Sequence, residues 1–262
     1  MSLVNLRPED RSARVVALHH ASDDIISKCK LIYDSIVTSP TAIVSGNFTV
    51  IGVADLELLF ELYDRLFFDG LLNRSIQEDG ATIRFRLSRR MTSSGGTTER
   101  LRPRSGHSPR DSYTITVSTF LLFQSFRDSS RKINVGGLEC KDRLEALQRI
   151  FEHELLHLTE FLTWGASSCS RENFKILSRR IFGHEGVHHQ LVTPREIAAR
   201  TLDIRPGDRV GFDFEGRQRT GIVNRITKRA TVLVEDPNGR LFSNGVKYET
   251  FYVPLEWLRK VY

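Results

Sequence analysis

The chain has 262 residues, room for one medium domain and a smaller second one. With 40% apolar and 27% charged residues it reads as a globular protein with a real core, and no apolar run is long enough to cross a bilayer, so no membrane partner is expected. A net charge of +6 and a pI of about 9.4 tilt the expected partners towards polyanions such as nucleic acid. Cys29, Cys140 and Cys169 are odd in number and widely spaced, which is no disulfide framework, and the charged N-terminus lacks an apolar signal core; the expected location is cytoplasmic.

In chain order, residues 1–45 read as an N-terminal extension with one short helical pattern over Asp23–Ile36. Ala42–Ile51 reads as a strand containing Gly46-Asn47. Leu56, Leu59, Phe60, Tyr63 and Phe67 recur at three- and four-residue spacing, predicting a helix over Ala54–Phe68 that ends at Asp69-Gly70. Ala81–Leu87 alternates Ile83, Phe85 and Leu87 with Arg84 and Arg86, a strand with one apolar and one cationic face. The Gly- and Pro-punctuated stretch Thr92–Arg110 reads as flexible, and Tyr113–Val117 as a second strand leading to a helix capped by Ser118. Residues 127–140 read as a connection, and a long helix then spans Asp142–Trp164. Ser170 is placed to cap the next helix, which closes at Phe182-Gly183, and Thr193-Pro194 starts a short basic one. Beyond Arg205-Pro206-Gly207-Asp208 the character changes to short strands with turns at Glu215-Gly216 and Asn238-Gly239, suggesting a small antiparallel β-barrel over 203–262.

The long helix carries His153-Glu154-Leu155-Leu156-His157. On a helix, residues 153 and 157 lie one turn apart, so both imidazoles reach one metal ion, and the carboxylate of Glu154 stands beside them to take a proton from water. Leu144, Leu147, Phe151, Leu155, Leu158 and Leu162 form one apolar stripe while the histidines point to the other side, flanked by Ile150 and Phe161, so the helix is expected to be buried on both. The competing reading of the two histidines is as core residues with backbone partners. A catalytic zinc asks for a third protein ligand. Cys169, in the loop opening the next helix, is the chemically better choice there than Ser170, its alternative being a buried thiol. Glu160, one turn beyond His157, is better placed to support a ligand than to be one, and His184 lies too far along its helix to reach the metal.

These features together resemble the SprT-like family of zinc metallopeptidases, which includes Spartan-type proteases of DNA–protein crosslinks. The resemblance covers about residues 52–190: the helix ending Leu66-Phe67-Phe68-Asp69-Gly70, the Ser88–Thr92 segment leading to Gly95-Gly96, Ile115–Leu122, the His-Glu-Leu-Leu-His motif, and Phe174 with its helix through Gly183-His184. It implies an α+β, zincin-like SprT domain over 46–195, followed by a small SH3-like β-barrel that is not a standard part of the family. It also implies a zinc-dependent metalloprotease with a protein substrate, with His153 and His157 on Zn2+ and Glu154 as the catalytic residue. The family usually places its third zinc-binding His four residues before the aromatic matching Phe174. Here that position is Ser170, with Cys169 beside it, so either Cys169 substitutes or the site has two protein ligands.

Between Arg84 and Arg110 there are eight arginines against one acid, Glu99. In the family fold this segment borders the cleft and could hold DNA through its phosphates; the alternative is a solvated loop. The barrel adds Arg217, Arg219, Arg225, Lys228 and Arg229 near Phe212, Phe214 and Phe242, mostly explained as core aromatics beside surface charge. The second functional reading is accordingly a non-catalytic nucleic-acid-binding or scaffold protein whose metal site is structural or vestigial.

Overall fold

The structure, a computed structural model, describes residues 8–102, 110–127 and 131–261. It is mixed α+β and divides into two compact units, Met1–Leu191 and Val192–Tyr262.

The first unit runs through α1 (Pro8–Ala17), α2 (Ser22–Thr38), α3 (Val53–Phe67), α4 (Leu71–Glu78), β1 (Thr82–Ser88), β2 (Gly96–Leu101), β3 (Ser112–Ser118) and α5 (Thr119–Ser125). It continues with β4 (Ile133–Val135), β5 (Leu138–Cys140), α6 (Arg143–Trp164) and α7 (Glu172–Phe182). In the main sheet β3 lies in the centre, parallel to β1 and antiparallel to β2, so both β1 and β2 are edges. β1 turns Ile83, Phe85 and Leu87 towards the protein and leaves Arg84 and Arg86 exposed, as its alternation predicts.

Helix α6 is the axis of this unit. Asp142 caps it by accepting from the Glu145 N–H at 2.9 Å, and Gly165, in the left-handed region at φ 73°, ends it. Its stripe of Leu144, Leu147, Phe151, Leu155, Leu158 and Leu162 is buried, and on the other flank Ile150 is buried and Phe161 half-buried. α3 presents Leu56, Leu59, Tyr63 and Phe67 to the same core, where Tyr63, Phe67 and Phe182 meet ring to ring. The described part of residues 1–45 belongs to this core too. Ile25, Cys29, Ile32 and Ile36 of α2 are buried, and Gln148 of α6 donates to the Cys29 carbonyl at 2.9 Å.

Several local expectations are corrected. Ala42–Ile51 is not a strand. Ile43 and Phe48 plug the core individually, and the backbone is satisfied otherwise: the Ile43 and Gly52 N–H groups donate to Asp55, and the Gly46 carbonyl accepts from the Leu144 N–H. The stretch Thr92–Arg110 contains β2, whose polar residues pair with β3 from Gly96↔Val117 to Leu101↔Ser112; residues 103–109 lie outside the described ones. The 127–140 connection holds the hairpin of β4 and β5, turned by Gly136 and Gly137 at positive φ. Ser170 caps nothing: α7 starts at Glu172, without a side-chain cap, and the Ser170 hydroxyl meets that of Ser168 at 2.8 Å.

The second unit opens with α8 (Pro194–Thr201), capped by the Thr193 hydroxyl. Then come β6 (Arg209–Phe214), β7 (Arg217–Ile226), β8 (Arg229–Leu241), β9 (Lys247–Pro254) and β10 (Arg259–Lys260). They form one antiparallel sheet in the order β10-β6-β7-β8-β9, around a core of Val210, Phe212, Val223, Val232, Phe251 and Val253. Asn238-Gly239 is not the second hairpin turn. It sits in an irregularity inside β8, and the chain reverses at Phe242–Val246, where Gly245 takes φ 81°.

Gly46 is fixed by the start of α6. A Cβ there would stand 2.1 Å from Tyr33 Oη and 2.2 Å from Asp142 Oδ2, two atoms already hydrogen-bonded to each other at 2.7 Å. Gly46→Ala is expected to cost about 1–3 kcal/mol. Urea denaturation measures this, and an unchanged midpoint would contradict the packing described for this turn.

Candidate metal centre

α6 carries three buried acids in one stretch, Glu152, Glu154 and Glu160, and two histidines between them. The burial of the helix on both flanks forces every one of these polar groups to find a partner inside the protein.

His153 and His157 project from successive turns and bring their Nε2 atoms to 3.1 Å. Two imidazole nitrogens at that separation share either a proton or a metal ion. The hydrogen bonding behind His157 bears on the choice. Ser167 donates to Glu160 at 2.5 Å, so its oxygen accepts from His157 Nδ1–H at 2.6 Å, and the lone pair of His157 is left on Nε2. Glu160 thus orients His157 through Ser167, and it also accepts from the Ser168 N–H, the supporting role its position suggested. Burial pushes both imidazoles towards the neutral form, His153 to about 2 and His157 to about 4, and neutral imidazole is the form that ligates.

Cys169 reaches the same point: its sulfur and one nitrogen of each histidine all lie within 4.8 Å of one another. Two nitrogens on one tetrahedral zinc stand roughly 3.3 Å apart, and a sulfur and a nitrogen roughly 3.6 Å. The histidine pair therefore fits, and the cysteine needs a displacement of about 1 Å, within the reach of a side-chain rotation. Cys29 and Cys140 are unsuited to such a role. Burial pushes both thiols up to about 12, and neither approaches the histidines' cluster. Phe174 packs on both imidazoles, at 4.8 and 4.7 Å between ring centroids, which fixes their planes.

Glu154 is 2% exposed and faces β2. Thr98 Oγ1 lies 2.7 Å from its Oε2, and Gly96 lets the strand approach so closely that a Cβ there would stand 2.7 Å from Oε1. Burial raises the Glu154 carboxyl, the Thr98 hydrogen bond lowers it, and the balance lies at about 8. That is the environment of a general base or acid working near neutral pH.

Glu152 and His184 belong elsewhere. Burial works against the Glu152 charge, but Arg149, His184 and Tyr63 outweigh it and hold the carboxylate at about 2. Tyr63 Oη donates to it at 2.7 Å, His184 Nε2 at 2.6 Å and Arg149 at 2.9 and 3.0 Å. His184 is accordingly a partner of Glu152, away from the His153–His157 pair.

Sequence reasoning passed over three groups. Thr98 sits in the stretch read as flexible, and Ser167 in a loop with no motif. His189 packs edge-to-face on His153 at 4.7 Å, its Nε2 buried without a partner. The strand bridge Val135↔His189 and the absence of a Cβ at Gly95, where one would fall 2.9 Å from His189 Nδ1, hold it there. Among the arginines of 84–110, Arg100 is tied to Asp111 and the Gly165 carbonyl, and Arg102 donates to the same carbonyl. These two brace the end of α6.

Compared with models of known protein families, with curated proteins and with solved structures, the chain matches none.

The raised carboxyl of Glu154 has a consequence for stability. A group whose folded value, about 8, lies above its ordinary value of 4.5 binds a proton in the folded state that the unfolded chain releases between those values. The contribution of Glu154 to the stability of the metal-free protein therefore falls as pH rises from 4.5 to 8. Glu154→Gln removes that slope. In chelator, the variant is expected to match wild type at the acid end and exceed it in the mid-alkaline range, as denaturant midpoints across pH will show. Parallel pH profiles would contradict a buried, protonated Glu154.

Proposed function

We propose that the first unit is a zinc-dependent metallopeptidase of SprT-like type, with the second unit as an appended SH3-like barrel. The observation that carries this reading is the convergence of His153, His157 and Cys169, with a buried Glu154 directly following His153 on the same helix. Support for the family assignment comes from the motif order in the sequence. Support for the barrel comes from the five-strand order β10-β6-β7-β8-β9.

In this reading His153, His157 and Cys169 hold the zinc, which when bound supplies Lewis acidity towards a peptide carbonyl and towards water. Ser167 and Glu160 keep His157 in the tautomer whose Nε2 is free to ligate. Glu154 takes the proton of the attacking water and returns it to the departing amine; its high-lying carboxyl suits both halves of that transfer. Thr98 holds Oε2 in place meanwhile. β2 is an edge strand against which Glu154 packs, so its unpaired backbone side is the natural place for an extended peptide to add as a further strand. A protein substrate thereby enters through main-chain recognition.

A structural or vestigial metal site in a binding protein is the second reading, and the lone cysteine among the donors favours it, because a thiolate lowers the Lewis acidity left for substrate. Two measurements separate them. Glu154→Gln is expected to lower cleavage of an unfolded protein substrate by about two to four orders of magnitude while retaining bound zinc. Cys169→Ser is expected to lose zinc, read by elemental analysis of the purified protein. Cleavage undiminished by Glu154→Gln would sink the mechanism, and full zinc in Cys169→Ser would remove Cys169 from the ligand set.

A further inference from the structure

The second unit holds thirteen lysines and arginines against nine acids, a net +4 of the chain's +6. The strand register shows where part of that charge is displayed. Ala230, Val232 and Val234 of β8 turn into the core. The alternate residues therefore share the outer face of the sheet with their cross-strand partners. One row across that face is Arg209–Ile222–Leu233–Thr250, the next is Arg225–Thr231–Tyr252, and the third is Arg229–Pro254. A register shift between Val223 and Arg225 brings Arg225 onto the same face as Ile222.

These nine positions carry three arginines and no acid. All three arginines are exposed, and among the described residues none is engaged by a carboxylate. The flanking acids lie at the periphery: Asp213 is 3.8 Å from Arg259, and Glu235 is further along β8. On the edge strand β9, beside Arg229 of β8 and in the row of Arg225 of β7, Tyr252 is 68% exposed, and Ile222 is 39% exposed in the neighbouring row. An aromatic ring left in water on a flat strand face gains nothing from the fold, and its neighbours are cations spaced one or two strands away, roughly 5–10 Å.

We infer that this face binds single-stranded nucleic acid, with Tyr252 stacking on an unpaired base and Arg209, Arg225 and Arg229 meeting the backbone phosphates. The exposed ring is what selects a single strand, since in a duplex the faces of the bases are covered by one another. The arginines are spread over several rows instead of converging on one pocket, which fits a chain of phosphates better than a single anionic headgroup. None of this depends on the metal centre. A protein with no peptidase activity would bind equally, so the two readings fail separately.

The test uses the full chain and a short, unstructured, fluorescent oligodeoxythymidine, followed by anisotropy over a range of salt. Wild type is expected to bind with a steep salt dependence. Tyr252→Ala weakens binding roughly five- to a hundredfold, while Tyr252→Phe, which keeps the ring, retains it. Arg225→Ala combined with Arg229→Ala lowers the log–log salt slope by about 1.4. All these side chains are exposed, so thermal melting of each variant should match wild type. No binding at low salt, or variants that bind like wild type, would overturn the proposal. A sulfated polysaccharide bound with the same dependence on Tyr252 would overturn it too, by assigning the face to a polyanion without bases.

Discussion

Helix α6 is buried around most of its circumference, so the polar side chains on it depend on partners inside the protein. Much of the first unit is arranged by that demand. Glu152 is answered by Tyr63 from α3, His184 from beyond α7 and Arg149 from its own helix, and it keeps its charge. Glu154, two residues on, is answered by a single hydroxyl, that of Thr98, and burial pushes its carboxyl up to about 8. Glu160 is answered by Ser167 and the Ser168 N–H, and it sets the orientation of His157. The three carboxylates have one chemistry and three states. The difference lies in how many donors, and of which charge, the surrounding elements bring to each.

This explains why the two sides of α6 serve different ends. The Glu152 side is a saturated ion-pair network at the centre of the aromatic core, and removing one partner would strand a buried charge. The histidine side is undersupplied: among the described residues His153 Nδ1 and His189 Nε2 have no partner, and the two Nε2 atoms of the pair face each other. Polar groups buried without partners are costly unless something else completes them. A divalent cation held between the two Nε2 atoms would complete both imidazoles of the pair together.

Much of this was legible in the sequence where a periodic signal was strong. The apolar stripe, the start at Asp142 and the His-Glu-Leu-Leu-His spacing lie on one continuous helix, where local rules act alone. Cys169 could be singled out because it is the only cysteine in the loop that follows. What was not legible came from tertiary contacts. β2 is polar and short, and only its ladder to β3 and its packing on Glu154 make it a strand. Ser167 matters because a loop returns it to His157, and His189 because a bridge to Val135 delivers it from beyond α7. Ala42–Ile51 misled in the opposite direction: Ile43 and Phe48 are individual plugs, and the Ile43 N–H is met by the Asp55 carboxylate where a neighbouring strand was expected. In the second unit, Asn238-Gly239 has the composition of a turn, yet the reversal falls at Phe242–Val246.

Gly95 and Gly96 stand side by side, one allowing His189 and the other Glu154 to approach the main chain. The wall of the site at that point is therefore bare peptide backbone. Such a wall offers every visiting chain the same amide and carbonyl groups, and no side chain there can be altered to favour one sequence over another. In the proposed peptidase, discrimination among substrates would have to be made further along the strand or outside the unit altogether. The two glycines thus make for a site that is chemically indifferent to sequence where it meets its ligand, and whose selectivity is a matter of delivery.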